Sequence, residues 1–367
     1  MLQAQNSHMK KLNKILHIIP ALGMGGAERV VVDICLGLET SEFETVVLSF
    51  VSGGYWKEIL EKKHIRVIEL QKKSKFDFKN FLMIKKIIKQ EKPDIVHTHL
   101  GGDLYGRLAA RLLGYKNIIS TEHNVNPDEG FLMNLIKKIT STWANKIIAV
   151  SKAVERDLNH RYGIAKEKIR VIYNGIDMKN FIAKETQSNN SLIQIGSAGR
   201  LTEQKGFAVL VKALAELKDL NFHCTIAGEG VKRAELEALV VTLGLTERVS
   251  LPGLNSDIPK FLHDLDIFVL PSLWEGLGIA VLEAGATSLP VVASNVDGIR
   301  EIITDTKNGL LFEPGDAHAL ADTLRSLINN SNERERLGRA LRERVSEHFS
   351  VSKMVAEYRK AYLEILS

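Results

Sequence analysis

The sequence predicts an α/β protein built from two doubly wound parallel-sheet domains in tandem. Three observations predict it. Short apolar runs alternate with amphipathic stretches along the whole chain, the pattern of strands joined by helices. The alternation starts afresh after a polar seam at 183–191, AKETQSNNS. Several runs end in glycine-rich turns, where open parallel sheets admit ligands. At 367 residues the chain has room for two domains, each with its own core.

The first half opens with MLQAQNSH, a patternless stretch read as foreign to a native chain that starts at Met9. Lys14-Ile-Leu-His-Ile-Ile-Pro20 is the first buried strand. Gly23-Met-Gly-Gly-Ala-Glu-Arg29 then turns into an amphipathic helix from about 27 to 38. Gly25 and Gly26 leave the backbone bare at that helix start, so phosphate or sugar can come close. The G-x-G-x-x-G spacing of dinucleotide binders is absent, which argues against a nicotinamide enzyme. Strand-like runs follow at 45–50, 66–70, 95–97, 117–121 and 146–150. Arg170 to Asp177 adds a last strand and an Asn-Gly turn. These bounds give a first domain at 9–182 and a linker at 183–191.

The second domain, 192–349, repeats the design without repeating the sequence, with strands near 192–198, 223–227, 249–251, 267–270, 291–293 and 310–312. A closing helix at 350–367 spaces Val351, Met354, Val355, Tyr358, Tyr362 and Ile365 along one face. The two cysteines, Cys35 and Cys224, lie in apolar segments of different domains, as core thiols of a reducing cytoplasm do.

Charge is uneven. Residues 1–180 carry 29 Lys and Arg against 19 Asp and Glu, whereas 181–367 carry 20 against 25. A basic first half suits an anionic partner such as a membrane surface, or is an ordinary solvated face. Two segments there, 76–92 (FDFKNFLMIKKIIKQEK) and 131–138 (FLMNLIKK), set apolar residues beside lysines. Each alone is read as a helix packing one face on a sheet. Together with the charge they suggest peripheral docking on an anionic membrane. No run is long enough to span a bilayer and no signal peptide is visible, so the expected location is the cytoplasm, peripheral at the inner membrane face. No nucleic-acid partner is expected.

The chemistry concentrates in the second half. The run 267–270, closed by Pro271-Ser272, leads into Trp274-Glu-Gly-Leu-Gly-Ile-Ala-Val-Leu-Glu-Ala-Gly-Ala286. Gly276 and Gly278 make a tight turn, and the helix start after it offers free N–H groups to a diphosphate. Glu275 and Glu283 flank that site. Carboxylates beside a phosphate are awkward unless they take neutral hydroxyls, such as those of ribose or a hexose. The plainer alternative is a capped helix with a solvated glutamate. Gly199-Arg-Leu-Thr-Glu-Gln-Lys-Gly206 places Arg200 and Lys205 in a loop at a strand's carboxyl end. Arginine there can grip phosphate through two parallel hydrogen bonds.

His97-Thr-His99 and His123 end two neighbouring strands. They are open to three readings: a zinc pair, buried structural rings, or groups facing a cleft. No Asp, Cys or further His stands at a spacing that completes a zinc site. Asp264-Leu-Asp266 matches a metal-holding D-x-D formally, but reads better as a helix end leading into strand 267–270. No metal and no other cofactor is expected. No carboxylate pair of glycosidase type is evident.

Glu275-x7-Glu283, followed by Leu289-Pro-Val-Val-Ala-Ser294 and Gly298-Ile-Arg-Glu301, resembles the nucleotide-sugar-dependent glycosyltransferases of family 4, which have the GT-B fold. The string G-R-L-x-x-x-K-G at 199–206 matches the same pattern, and the likeness extends over nearly the whole chain. It implies two Rossmann-like domains facing a central cleft, with the closing helix crossing back to the first domain. It implies that Arg200 and Lys205 hold the donor diphosphate and stabilise it as it leaves. Glu275 would take the hexose hydroxyls and Glu283 the ribose. Gly230 and Leu254 would line the nucleotide end, and Leu277, Gly278 and Ile279 the diphosphate. His123 would contact the donor sugar or its phosphate, with His99 nearby, completing a catalytic set of Arg200, Lys205, Glu275 and His123. Asp103 and Arg107 would face the acceptor. Val231 replaces a usual Pro and Asp297 a usual Gly, which affects local loop shape.

The implied reaction is retaining, metal-independent transfer of a hexose or N-acetylhexosamine. The donor would be a nucleotide diphosphate sugar, UDP favoured and GDP second. The acceptor would be a glycan or lipid-linked precursor in surface polysaccharide synthesis. The alternatives are a nucleotide-sugar epimerase of the same fold and a non-catalytic sugar-nucleotide-binding subunit. Retention of Arg200, Lys205, Glu275 and Glu283 argues against both.

Overall fold

A computed structural model describes residues 12–38, 42–71, 78–127, 129–184 and 192–367. The leader 1–8 and most of the expected linker lie outside the described residues. The first domain contains β1 (Asn13–Ile19), β2 (Phe43–Ser49), β3 (Arg66–Glu69), β4 (Ile95–His99), β5 (Ile118–Glu122), β6 (Lys146–Ala149) and β7 (Ile169–Val171). Its helices are α1 (Gly26–Leu38), α2 (Tyr55–Lys62), α3 (Phe78–Glu91), α4 (Gly102–Leu112), α5 (Phe131–Ser141) and α6 (Lys152–Tyr162). The second contains β8 (Ile193–Ala198), β9 (Phe222–Ala227), β10 (Val249–Gly253), β11 (Ile267–Leu270), β12 (Val291–Ser294) and β13 (Leu310–Phe312). Its helices are α7 (Phe207–Ala215), α8 (Arg233–Thr242), α9 (Ile258–His263), α10 (Ile279–Ala286), α11 (Asp297–Arg300), α12 (Ala317–Ile328) and α13 (Ser331–His348), before the terminal α14 (Val351–Leu366).

Both sheets are parallel throughout. Their orders are β3-β2-β1-β4-β5-β6-β7 and β10-β9-β8-β11-β12-β13. The central strands β4, β11 and β12 are buried along their whole length, because helices cover both sheet faces. Strand order reverses between β1 and β4 and again between β8 and β11. A crevice opens at such points, at the carboxyl ends of the strands.

The domains are joined by specific contacts. Glu301 of the second domain accepts hydrogen bonds from the N–H groups of Lys152 (2.9 Å) and Ala153 (2.7 Å), at the start of α6. Ser151 Oγ donates to the Gly276 carbonyl at 2.5 Å. Helix α14 packs Met354, Tyr358, Ala361 and Tyr362 against Ile15, Val30, Ile34 and Ile119 of the first domain. Arg170 also pairs with Glu357 (2.6 Å) and Glu364 (2.9 Å) of that helix.

The two basic amphipathic segments behave differently. Helix α3 buries Phe81, Ile84, Ile87 and Ile88, as a sheet-packing helix should; residues 76 and 77 of that segment lie outside the described residues. Helix α5 overturns the same expectation. It buries only Thr140 and Ser141, and leaves Phe131 83% and Leu132 70% exposed, with Leu135 and Ile139 exposed beside them. Among the described residues, no helix is long and apolar enough to cross a membrane.

Candidate active site

One cavity of about 1460 Å³ lies between the domains, lined from both sides. It exceeds a usual small-molecule pocket of about 300–1,000 Å³, so it has room for two substrates. The walls approach closely at glycines. A Cβ on Gly276 would lie 2.4 Å from the His123 carbonyl oxygen, and one on Gly26 would lie 2.9 Å from Ile279 Cδ1. These glycines let the first domain sit against the loop and helix start of the second.

On the second-domain wall, Lys205 pairs with Glu275 Oε1, and Ser272 Oγ donates to the same oxygen at 2.8 Å. Two side chains expected to hold different parts of a donor are therefore paired with each other. Arg200 lines the cavity and is exposed, with no ion pair among the described residues. Gly278, at φ 82°, precedes α10 without a side-chain cap, leaving the first-turn N–H groups of Ile279 and Ala280 at the cavity wall. Leu254 and Leu277 line it too. Gly230 does not. A Cβ there would meet the Leu201 carbonyl at 2.4 Å, so this glycine permits a loop crossing, and Gly228 and Glu229 form the wall instead.

Glu283 meets Arg29 of α1 at 3.0 Å. Burial raises the Glu283 carboxyl above its ordinary range, and the Arg29 charge pulls it back. Arg29 escaped the sequence reading, although it stands in the Gly-rich string that drew attention to Gly25 and Gly26. Asn124 Nδ2 donates to Gln204 Oε1 across the cleft at 3.3 Å, and Gln204 Nε2 donates to the Trp274 carbonyl at 3.0 Å. Both residues sit beside or inside motifs already singled out.

On the first-domain wall, Asp103 and Arg107 line the cavity but are nearly buried and committed to neighbours. Thr98 Oγ1 donates to Asp103 Oδ1 at 2.6 Å, and Arg107 Nε to Ser120 Oγ at 2.6 Å. Beside them Glu122, also unforeseen, is pushed up to about 7 by burial, against the opposing charge of Lys137. Burial works against the Lys137 charge as well, but Glu122 and Glu129 (2.8 Å) outweigh it and keep the ammonium charged. Asp103, Glu122 and Glu129 outnumber Arg107 and Lys137 here, so this wall suits sugar hydroxyls better than a second polyanion.

The histidines form one cluster. His123 lines the cavity, but His99 does not; it is fully buried behind His123. The missing third histidine is His17, carried by β1 and in register with His97 of β4. His17 Nδ1 lies 3.1 Å from His99 Nε2, and His99 Nδ1 lies 3.2 Å from His123 Nε2. His97 is held by Tyr362 Oη at 2.7 Å and Thr121 Oγ1 at 2.8 Å. Rings of His17, His97 and His99 come close enough to share a metal ion. Both nitrogens of His97 and of His99 are already bonded, so an ion would have to break those bonds inside a fully buried cluster. Burial lowers His17 and His123 to about 3, and lowers His97 and His99 well below the ordinary range.

Asp266 Oδ1 pairs with Lys184 at 2.9 Å and its Oδ2 accepts from Gln194 N at 2.9 Å, while Asp264 ends α9 as its cap. The Asp266 carboxylate therefore acts in the local fold, Asp264 closes the helix through its backbone N–H, and neither residue lines the cavity.

Comparison with known proteins accords with this geometry. The family model described as Glycosyltransferase Family 4 matches residues 24–180, and that described as Glycosyl transferases group 1 matches residues 178–344. An uncharacterized glycosyltransferase of Methanocaldococcus jannaschii is 33% identical over 291 residues, covering 77% of this chain and 78% of its own. The UDP-Gal:alpha-D-GlcNAc-diphosphoundecaprenol alpha-1,3-galactosyltransferase of Escherichia coli is 28% identical over 320 residues, covering 79% and 80%. The crystal structure of a glycosyltransferase from Rickettsia africae superposes with TM-score 0.82 at 27% identity, covering 98% of this chain and all of that one.

Proposed function

Because the chain belongs to the family 4 glycosyltransferases of GT-B fold, we propose a retaining, metal-independent reaction between a nucleotide diphosphate sugar and a lipid-linked acceptor. The enzyme serves polysaccharide or lipid-linked glycan synthesis. One observation carries the donor reading: the uncapped start of α10, Arg200, and the Lys205–Glu275 pair converge on one wall of one cavity. A diphosphate fits there because free N–H groups and two cations meet it.

UDP is favoured as the carrier, and the named E. coli relative uses UDP-Gal. On donor binding, Glu275 exchanges Lys205 for hexose hydroxyls, and Lys205 turns to the diphosphate with Arg200. The acceptor hydroxyl attacks the anomeric carbon from the leaving-group side. The new C–O bond forms as the bond to the diphosphate breaks, and the hydroxyl proton passes to a departing phosphate oxygen. Arg200 and Lys205 stabilise the charge that develops there, which is the work a metal would otherwise do. The commitment of Asp266 to Lys184 and β8 supports a metal-free site.

The same acceptor reading accounts for α5. Its outward face is apolar, while Met133, Ile136, Lys137 and Thr140 of the same helix line the cavity. A helix apolar outside and continuous with the acceptor wall suits an anionic bilayer that presents a lipid-linked substrate. Transfer from labelled UDP-hexoses to a polyprenyl-diphosphate glycan in EDTA tests the proposal, with product anomeric configuration read by NMR. An α-linked product from an α-linked donor is expected; inversion, or dependence on a divalent ion, contradicts it.

A further inference from the structure

The first-domain wall holds one acid without a cation of its own. Asp103 and Arg107 of α4 lie 3.6 Å apart, and Lys137 of α5 pairs with Glu129 at 2.8 Å. That leaves Glu122. Lys137 Nζ stands 3.6 Å from its Oε2, beyond hydrogen-bond reach, and among the described residues its carboxylate accepts no hydrogen bond.

Glu122 is also open to the cavity. It ends β5, where the two-residue period puts it on the same face as Ser120, which Arg107 of α4 grips at 2.6 Å. The next residue, His123, turns instead to His99. Glu122 lines the cavity, and neither of its oxygens is among the fully buried side-chain atoms that lack a partner. Asp103 Oδ2, by contrast, is one of those atoms.

A nearly buried carboxylate without a hydrogen bond favours a ligand that brings donors to it. A second anion would be repelled, and the cations of this wall are committed. Arg107 is held by Ser120 and Thr140 (3.4 Å), and Lys137 by Glu129. Tyr105 of α4 and Met133 and Ile136 of α5 line the same cavity and offer apolar surface to a sugar ring. The wall also meets the donor side closely. A Cβ on Gly276, the residue after Glu275, would lie 2.4 Å from the carbonyl oxygen of His123, the residue after Glu122.

We infer that Glu122 selects the acceptor: its carboxylate takes hydroxyl or ammonium hydrogens from a terminal acceptor sugar without negative charge, and turns away uronic acids and phosphorylated sugars. The inference rests on the proposed placement of the acceptor at this wall. Glu122 holds the acceptor sugar and does not take the proton of the reacting hydroxyl.

The test is saturation-transfer NMR on protein saturated with UDP. The probes are the methyl glycosides of glucose, galactose, mannose, N-acetylglucosamine, glucosamine and glucuronic acid. At least one neutral or amino glycoside should bind, and the glucuronide should not. In Glu122→Gln that glycoside should bind about tenfold more weakly, with UDP affinity retained. Burial raises Glu122 to about 7, with Asp103 and Glu129 adding to the rise and Lys137 and Arg107 opposing it. Wild-type affinity for the glycoside should therefore increase as pH passes upward through that value and the carboxylate ionises, and the variant should show no such increase. Binding of the glucosamine derivative alone assigns the contact to an ammonium, and binding of the neutral glycosides assigns it to hydroxyls. A glucuronide that binds as well as any other overturns the inference, as does an unchanged affinity in Glu122→Gln. Binding of UDP without binding of any glycoside overturns it too. Failure to bind UDP would sink the donor reading instead, and the glycoside panel then decides by itself.

Discussion

Arg29 of α1 and Glu283 of α10, 254 residues apart in sequence, meet across the cleft at 3.0 Å. The Arg29 charge thus opposes the burial that raises the carboxyl proposed to take ribose. Without that cation, burial would drive Glu283 further toward its neutral form, a poorer acceptor for hydroxyls. In Arg29→Met, UDP should bind about tenfold more weakly at neutral pH, equivalent to about 1.4 kcal/mol. Affinity should recover as pH rises and Glu283 ionises. Calorimetric titration with UDP at several pH values checks this; an affinity that matches wild type throughout removes Arg29 from the donor site.

Gly276 tests the closeness of the two walls. A methyl group there would lie 2.4 Å from the His123 backbone oxygen, which cannot yield as a side chain tip would. In Gly276→Ala the domains should part slightly, and turnover should drop about a hundredfold through misplacement of about 1 Å. Small-angle scattering should show a larger radius of gyration, with each domain still folded.

Glu122 sets a pH dependence whose sign is fixed. Its carboxyl is raised from 4.5 to about 7 in the folded protein, mainly by burial. The folded state therefore binds the extra proton, and this contribution to stability is full below pH 4.5 and lost as pH rises to about 7. The buried histidines, lowered from 6.5, act oppositely: their contribution is lost as pH falls below 6.5. Comparing Glu122→Gln with wild type isolates the first effect. The variant should gain relative stability between pH 4.5 and 7, by at most about 3 kcal/mol. Urea unfolding across that range reads it.

Tyr362 ties α14 to the histidine cluster through His97 Nδ1 at 2.7 Å. Tyr362→Phe keeps the ring but leaves a buried nitrogen unpaired, at a cost of about 1–3 kcal/mol. A lowered urea midpoint with unchanged slope is the expected signature.

Much of this fold was legible because parallel strands buried on both faces appear as unbroken apolar runs. Ile267–Leu270 and Val291–Ser294 are examples, and each expected strand recurs in the structure. The convergence of Arg200, Lys205, Glu275 and Glu283 on one cavity was legible as well, since they fall in two compact strings that folding brings together. Partners from opposite domains were not. Nothing in Gly-Gly-Ala-Glu-Arg29 announces Glu283, because domain closure, not local spacing, brings them together. His17 was hidden in an apolar strand, and joins His97 only because the chain reverses its strand order between β1 and β4. Helix α5 misled for a different reason. Amphipathicity says that a helix has an apolar face, not which way that face turns, and here Phe131 and Leu132 turn outward.

The outward face of α5 carries its own prediction. Wild-type protein should sediment with vesicles containing anionic phospholipid, and Phe131→Glu with Leu132→Glu should abolish this while leaving UDP affinity intact. Equal sedimentation of both proteins contradicts lipid docking through α5.

The central claim is a metal-free diphosphate grip in the cleft, and thermal unfolding with UDP, GDP, ADP and TDP sugars in EDTA tests it most directly. A ligand held by the folded state raises the midpoint by mass action. The expected result is a rise with one nucleotide family, undiminished by EDTA and lost in Arg200→Ala and Lys205→Ala. No rise with any nucleotide, or a rise that EDTA abolishes, would contradict it.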